Sequence, residues 1–147
     1  MDFSIDAALQ ADHDRLRAFV RDEIVPLEAD RKNYDSYGNI DMAVLQTLSA
    51  KVKAAGLWAP QIPREQGGLG YGPTGMAVLY EAMNYSIFGP VAFNCAAPDD
   101  GNMYILNKVA TQAQKDRWLT PIINGNVRSS FAMTEPDGGC GSDPSLT

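Results

Sequence analysis

Apolar positions recur along most of this chain at the spacing of an α-helix, in five successive blocks. In the first, Leu9, Leu16, Phe19, Val20, Ile24 and Leu27 are separated by Asp, Arg and Glu, which predicts one amphipathic helix bent or ended at Pro26. The polar run Arg31 to Asn39 reads as a loop. Asp41 then supplies the short acceptor side chain of an N-cap. Leu45, Leu48, Val52 and Ala55 follow on one face, and Gly56 is placed to stop the helix. A third helix opens at Thr74 with Met76, Leu79, Tyr80, Met83 and Ile87 on its apolar side, and a fourth runs from about Asp100 through Met103, Leu106 and Val109. Thr111 and Gln114 have the spacing of a capping box. They open a fifth helix that carries Trp118, Leu119, Ile122 and Ile123 and ends at Asn124-Gly125.

Two stretches break the pattern. Between Leu57 and Pro73 there are prolines at 60, 63 and 73 and glycines at 67, 68, 70 and 72, so the chain must turn repeatedly there. From Val127 the helical spacing is gone: VRSSFAM, Val127 to Met133, reads as a strand, and a glycine-rich phrase follows it to Thr147. The pattern therefore predicts an all-α domain up to about residue 126 and the opening of something else after it.

Composition narrows the class. The chain has 147 residues, 45% of them hydrophobic and 20% charged, which suits a soluble globular domain. Lys plus Arg is 12 against 18 Asp plus Glu, a net charge of -6, which argues against a nucleic-acid surface. No stretch reaches the roughly 20 apolar residues of a membrane span. The N-terminus, MDFSIDAALQADHD, carries acids where a signal peptide is basic, so the expected location is intracellular and cytoplasmic.

Few residues suggest chemistry by themselves. His13 is the sole histidine and Cys95 and Cys140 stand far apart, so a metal site is not expected. Cys140 in its glycine loop reads as a spectator thiol rather than a nucleophile. GGLGYG, Gly67 to Gly72, follows no strand and precedes no Lys-Ser/Thr, so it reads as turn chemistry and not a phosphate loop. FAMTEPDGGCGSDPSLT, Phe131 to Thr147, combines a strand-like lead, Thr-Glu-Pro, glycines and Ser-Asp. Such a loop can offer backbone N–H groups and hydroxyls to an anion or a heterocycle, and can equally be a surface loop.

FAMTEP with GSDP resembles the flavin-binding phrase of the acyl-CoA dehydrogenases. QKDRWLTPIINGNVRSSFAMTEP, Gln114 to Pro136, is similar to that family's Gln-Lys-x-Arg-Tyr/Trp-Leu helix and flavin strand, and PREQGGLGYG to its Pro-x-x-x-Gly-Gly-x-Gly turn. APDDGNM, Ala97 to Met103, resembles the branch linked to long or branched acyl chains. One departure is plain: four residues, Asp137 to Cys140, stand between Thr-Glu-Pro and Gly-Ser-Asp, where the common form has two.

The resemblance implies an up-down, bundle-like all-α N-terminal domain over 1–126. Residues 127–147 would begin the middle β-domain with its flavin-contacting strand and loop. It implies FAD, held through Phe131, Ala132, Met133 and Thr134, with Ser142 at the pyrophosphate or the CoA portion. It places the acyl chain near Phe93, Ala97 and Gly101. Glu135 is not the base in this family; that glutamate is expected downstream of Thr147, so none of these residues is expected to be catalytic and the chain alone is expected to be incomplete and inactive. The implied partners are an acyl-CoA, an electron-transferring flavoprotein or similar acceptor, and further copies of the full-length chain. A non-catalytic helical interaction module derived from the same family is the alternative, and the reading frame after Thr147 separates the two.

Overall fold

The first helix starts where a side chain replaces missing backbone acceptors: Asp6 accepts from the Ala8 and Leu9 N–H groups at 2.9 and 3.3 Å. In the computed structural model, which describes residues 4–134 and Ser145, this helix is α1 (Ala7–Phe19). It continues through a π-helical turn (Val20–Ile24) into α2 (Val25–Glu28), so the chain stays helical past Pro26. There follow α3 (Met42–Ala54), α4 (Pro73–Met83), α5 (Gly89–Ala92) and α6 (Asp99–Val109). The last helical stretch is α7 (Gln112–Gln114), a second π-helical turn (Lys115–Leu119) and α8 (Thr120–Ile123). Short 3-10 turns lie at Arg31–Asn33 and Arg64–Gln66. The expected caps form: Asp41 accepts from Ala43 and Val44 N–H, and Thr111 and Gln114 close a reciprocal capping box.

The all-α expectation holds, with four local corrections. Val127 to Met133 belongs to no named strand among the described residues. Strand propensity is realised only against a neighbouring strand, and the described residues supply none beside this segment. Ile87 lies beyond the end of α4 and is exposed, because the Glu28 carboxylate accepts from the Ser86 hydroxyl and from the Ile87 N–H (2.9 Å) and holds residues 84–88 in a turn. Val109, the last residue of α6, is exposed. Trp118 also faces solvent, with the Arg117 guanidinium 4.6 Å from its ring centroid.

The core has two parts. Leu16, Val20 and Ile24 from the first helix meet Leu48 and Val52 of α3, Leu79 and Met83 of α4, and Phe93. Ala59, Ile62, Met103, Leu119, Ile122 and Ile123 form the second part, and Trp58 packs against both. The link between them is polar. Asn94, buried and held at φ +59°, donates its amide to the carbonyls of Ile122 and Ile123 at 3.1 and 3.2 Å. The Trp58 indole donates to Ile123 O at 2.7 Å and Lys53 Nζ to Asn124 O at 2.6 Å. These donors converge on the last carbonyls of α8, where Ile122 O also accepts from the Gly125 N–H at 2.9 Å and Ile123 O is shared by Asn94 and Trp58. Removing the Asn94 amide would cost about 1 kcal/mol or more in hydrogen bonds at a buried site.

Two glycines give an opposed pair of expectations. A Cβ on Gly89 would stand 1.9 Å from Met83 O, a backbone atom that cannot move aside, whereas a Cβ on Gly101 would meet nothing within 4 Å. Gly89→Ala is expected to destabilise by more than about 2 kcal/mol. Gly101→Ala, in the first turn of α6, is expected to stabilise by about 0.4–1 kcal/mol through its lower unfolded-state entropy. Urea melts of the two variants beside the parent chain check both signs.

Candidate functional site

The segment that leads to the phrase beginning at Phe131 leaves α8 at Asn124-Gly125 and meets the first turn of α6, where Asp99 and Asn102 are three residues apart and share a helical face. Asp99 is almost fully buried. Its Oδ2 takes the Arg128 Nε at 2.5 Å, and its Oδ1 accepts from the Ser129 N–H at 2.6 Å and the Ser129 hydroxyl at 2.7 Å. Asn102 Nδ2 adds bonds to Ser129 Oγ at 2.9 Å and to Ser130 O at 3.3 Å. Three consecutive residues, 128–130, are thus fixed to one helical turn immediately before the motif. A buried carboxylate this well paired is costly to disturb, since removing its partners would strand a charge.

Beyond this clamp Phe131, Ala132, Met133 and Thr134 are all exposed, Phe131 at 61% and Met133 at 49%. Large apolar side chains presented this way on otherwise polar chain suit contact with a flat, partly apolar ligand or a further layer of protein. The rest of the motif, including Glu135, Cys140 and Ser142, lies outside the described residues, so the cofactor expectation at Ser142 falls there too.

The three residues expected near the acyl chain are not brought together. Phe93 is fully buried and packs edge-on to Phe19 at 5.8 Å, so its side chain belongs to the core and lines neither groove described next. Gly101 lines an apolar groove of about 480 Å³ between α4 and α6, walled by Ile62, Tyr71, Met76, Tyr80 and Tyr104. Ala97 lines a different depression, with Ile40, Phe88 and Arg128.

Two tyrosines at the Gly101 groove carry polar partners. Tyr71 donates to Asp12 Oδ2 at 2.7 Å; burial, helped by that hydrogen bond and the Asp12 charge, pushes its phenol up to about 12. Tyr80 donates to Cys95 O at 2.7 Å and contacts Asp100 Oδ2 at 3.1 Å, and burial again raises its pKa. Both phenols stay protonated at neutral pH, so they serve as hydrogen-bonded walls and not as bases. His13 sits beside Asp14 in the first helix, and among the described residues no group of three or more His, Cys, Asp and Glu could hold a metal ion. No described helix is long and apolar enough to cross a membrane.

Sequence reasoning missed the Asp99 clamp. Asp99 and Asp100 look alike as first-turn acids that complement a helix dipole. Burial of the first beside Arg128 and Ser129 depends on how α6 and the end of α8 are docked, which local pattern does not encode.

The family described as "Acyl-CoA dehydrogenase, N-terminal domain" matches residues 7–126. The chain is 38% identical over 146 residues to the Probable acyl-CoA dehydrogenase FadE2 of Mycobacterium tuberculosis, covering 92% of this chain and 34% of that protein. It is 37% identical over 131 residues to Acyl-CoA dehydrogenase family member 10 of Mus musculus, covering 84% of this chain and 12% of that protein. A solved protein from Mycobacterium abscessus, provisionally assigned as an acyl-CoA dehydrogenase, superposes with a TM-score of 0.78 at 35% identity, covering 92% of this chain and 36% of that one. The chain belongs to the acyl-CoA dehydrogenase family and matches its N-terminal domain. It spans about a third or less of the length of these relatives.

Cys95 gives a test of the environment around α5 and α6. Its thiol is buried, donates to Gln61 Oε1 at 3.1 Å, and is pushed well above the usual thiol range by burial and then by the Asp100 charge. In a Cys140→Ala background, Cys95 is expected to stay unmodified by a thiol reagent at pH 8 and to react promptly once urea unfolds the chain. Ready modification of the folded chain would contradict the packing described here.

Proposed function

We propose that this chain is the N-terminal portion of an FAD-dependent acyl-CoA dehydrogenase, an oxidoreductase that converts an acyl-CoA thioester to its α,β-unsaturated form. The observation that carries this reading is the clamp at 128–130, which presents Phe131 to Thr134 outward from a domain of this family. A segment offering main-chain groups between exposed Phe131 and Met133 suits a flat heterocycle with polar edges. When bound, FAD would supply the acceptor for the hydride leaving the β-carbon. The backbone of Phe131 to Met133 and the Thr134 hydroxyl would orient the ring, and Ser142 would lie toward the pyrophosphate or CoA. The α-proton is assigned to a glutamate outside these 147 residues, so no residue of this chain is given a catalytic role.

The groove beside Gly101 is the proposed acyl-facing wall. Ala97 and Phe93 retain only indirect roles there, the first lining a separate depression and the second supporting α5 from the core. An open groove with no side chain at Gly101 favours long or branched acyl chains over short ones. An electron-transferring flavoprotein or similar carrier, a homo-oligomeric full-length protein and a cytoplasmic location complete the proposal.

The decisive experiment uses the full-length protein. Purified, it is expected to show a flavin band that acyl-CoAs bleach; a protein that never holds flavin would favour the non-catalytic helical module instead. The isolated 147-residue chain is expected to give no saturable micromolar quenching of FAD fluorescence, because only part of the ring's surroundings is present. Gly101→Leu in the full-length protein is expected to depress kcat/KM for long acyl-CoAs roughly fifteenfold relative to short ones, the equivalent of two methylenes at about 0.8 kcal/mol each. A uniform loss across chain lengths would remove Gly101 from the acyl wall.

A further inference from the structure

The first turn of α6 faces two ways. Gly101 opens onto the apolar groove, while Asp99 and Asn102 hold residues 128–130. These three residues fall within four consecutive positions, so the groove wall and the clamp move as one helical unit. Asp99 has no competing task. Both its oxygens are engaged by the 128–129 segment, and its side chain is 4% exposed against 40% for Arg128. The two ends of the clamp are unlike: α6 is packed through buried Met103, whereas Phe131 to Thr134 have exposed side chains. What sets the position of the motif relative to the groove, within the described residues, is therefore this carboxylate and its neighbour Asn102.

We infer that Asp99 is a positioning residue. Through Arg128 and Ser129, with Asn102 gripping the same stretch beside it, Asp99 fixes the height and direction at which residues 131–134 leave the helical domain, and so the spacing between the acyl-facing groove and the ring-facing segment. The inference rests on the proposed function for what binds at 131–134, but not for the clamp itself. Its chemistry is specific. The bidentate demand is one oxygen for a guanidinium and one for an N–H and O–H together, which an amide in place of the carboxylate meets only in part. Asn102 secures the Ser130 carbonyl, so the two residues together hold three successive residues, Arg128 by its side chain and Ser129 and Ser130 by the main chain.

Two measurements separate the clamp from the function. In the 147-residue chain, amide hydrogen exchange is followed in the parent, Asp99→Asn and Asn102→Ala. Exchange of the Ser129 N–H, which donates to Asp99, is expected to quicken by about tenfold in Asp99→Asn and less in Asn102→Ala, while Leu79 and Met83 in the core keep their protection. Unchanged exchange at Ser129, or equal acceleration in the core, overturns the inference; should Asp99→Asn fail to fold, Asn102→Ala and Arg128→Gln carry the same decision. In the full-length protein, Asp99→Asn is expected to shift the flavin absorption band and lower kcat at least about fivefold with KM for acyl-CoA little changed, the signature of a misplaced ring rather than a damaged groove. An unaltered band with unaltered kcat overturns the positioning role. If the parent protein holds no flavin, the proposed function fails, and the exchange measurement still decides whether Asp99 sets the path of 128–134.

Discussion

The buried amide of Asn94 is the interaction on which the arrangement rests. Two apolar clusters built from different parts of the sequence would pack against each other in many ways if only area were at stake, since burial is non-directional. Asn94 removes that freedom. Its side chain is satisfied where the last carbonyls of α8 arrive, Ile122 O, which also accepts from the Gly125 N–H, and Ile123 O, which has no helical partner of its own. Trp58 and Lys53 complete the same end, one by its indole and the other by its ammonium, so the C-terminus of α8 is fixed from α3, from the loop after it and from the turn before α6. Gly125 then passes at φ +67° beneath the Trp58 ring, a place without room for a Cβ. The path of the chain toward residue 128 follows from these contacts, and the Asp99 clamp catches it as it passes α6.

The site therefore depends on polar groups more than on apolar ones, although the fold is an apolar assembly. Leu16, Val20, Leu79 and Phe93 decide that the helices associate. Asn94 and Asp99 decide where residues 131–134 emerge. This division has a physical basis: a hydrophobic contact tolerates small displacements, whereas a buried hydrogen bond does not.

How much of this was legible follows the same division. The helices with a strong periodic face and a capping residue could be read directly, as Asp41 and the Thr111–Gln114 box show. Ile87 misled because it falls at the right interval after Met83, yet Glu28, nearly sixty residues earlier, pulls the chain out of the helix before it arrives. The four-residue helix α5 carries too little period to be seen. Val127 to Met133 has strand-forming residues and no strand beside it among those described. At the site, the motif from Phe131 could be recognised through its family resemblance, but the carboxylate that holds its approach could not, because nothing local distinguishes Asp99 from Asp100. Burial distinguishes them, and burial is a property of the tertiary arrangement.

The two π-helical turns, Val20–Ile24 and Lys115–Leu119, bear on how chains of this type can differ in length. Each is closed by a hydrogen bond that reaches back five residues, from Val25 to Val20 and from Thr120 to Lys115, and each is followed closely by a proline, Pro26 or Pro121. A π-turn holds one residue more than the α-helix it interrupts. Relatives that lack that residue can keep the flanking faces against the same core by reverting to an uninterrupted ladder. Single-residue gaps inside these helices are then variation that the architecture absorbs, whereas a gap of the same size between Asp99 and Asn102 would break the shared face that grips the chain. Insertions and deletions, ordinarily the property of surface loops, thus have two permitted places within the helices themselves.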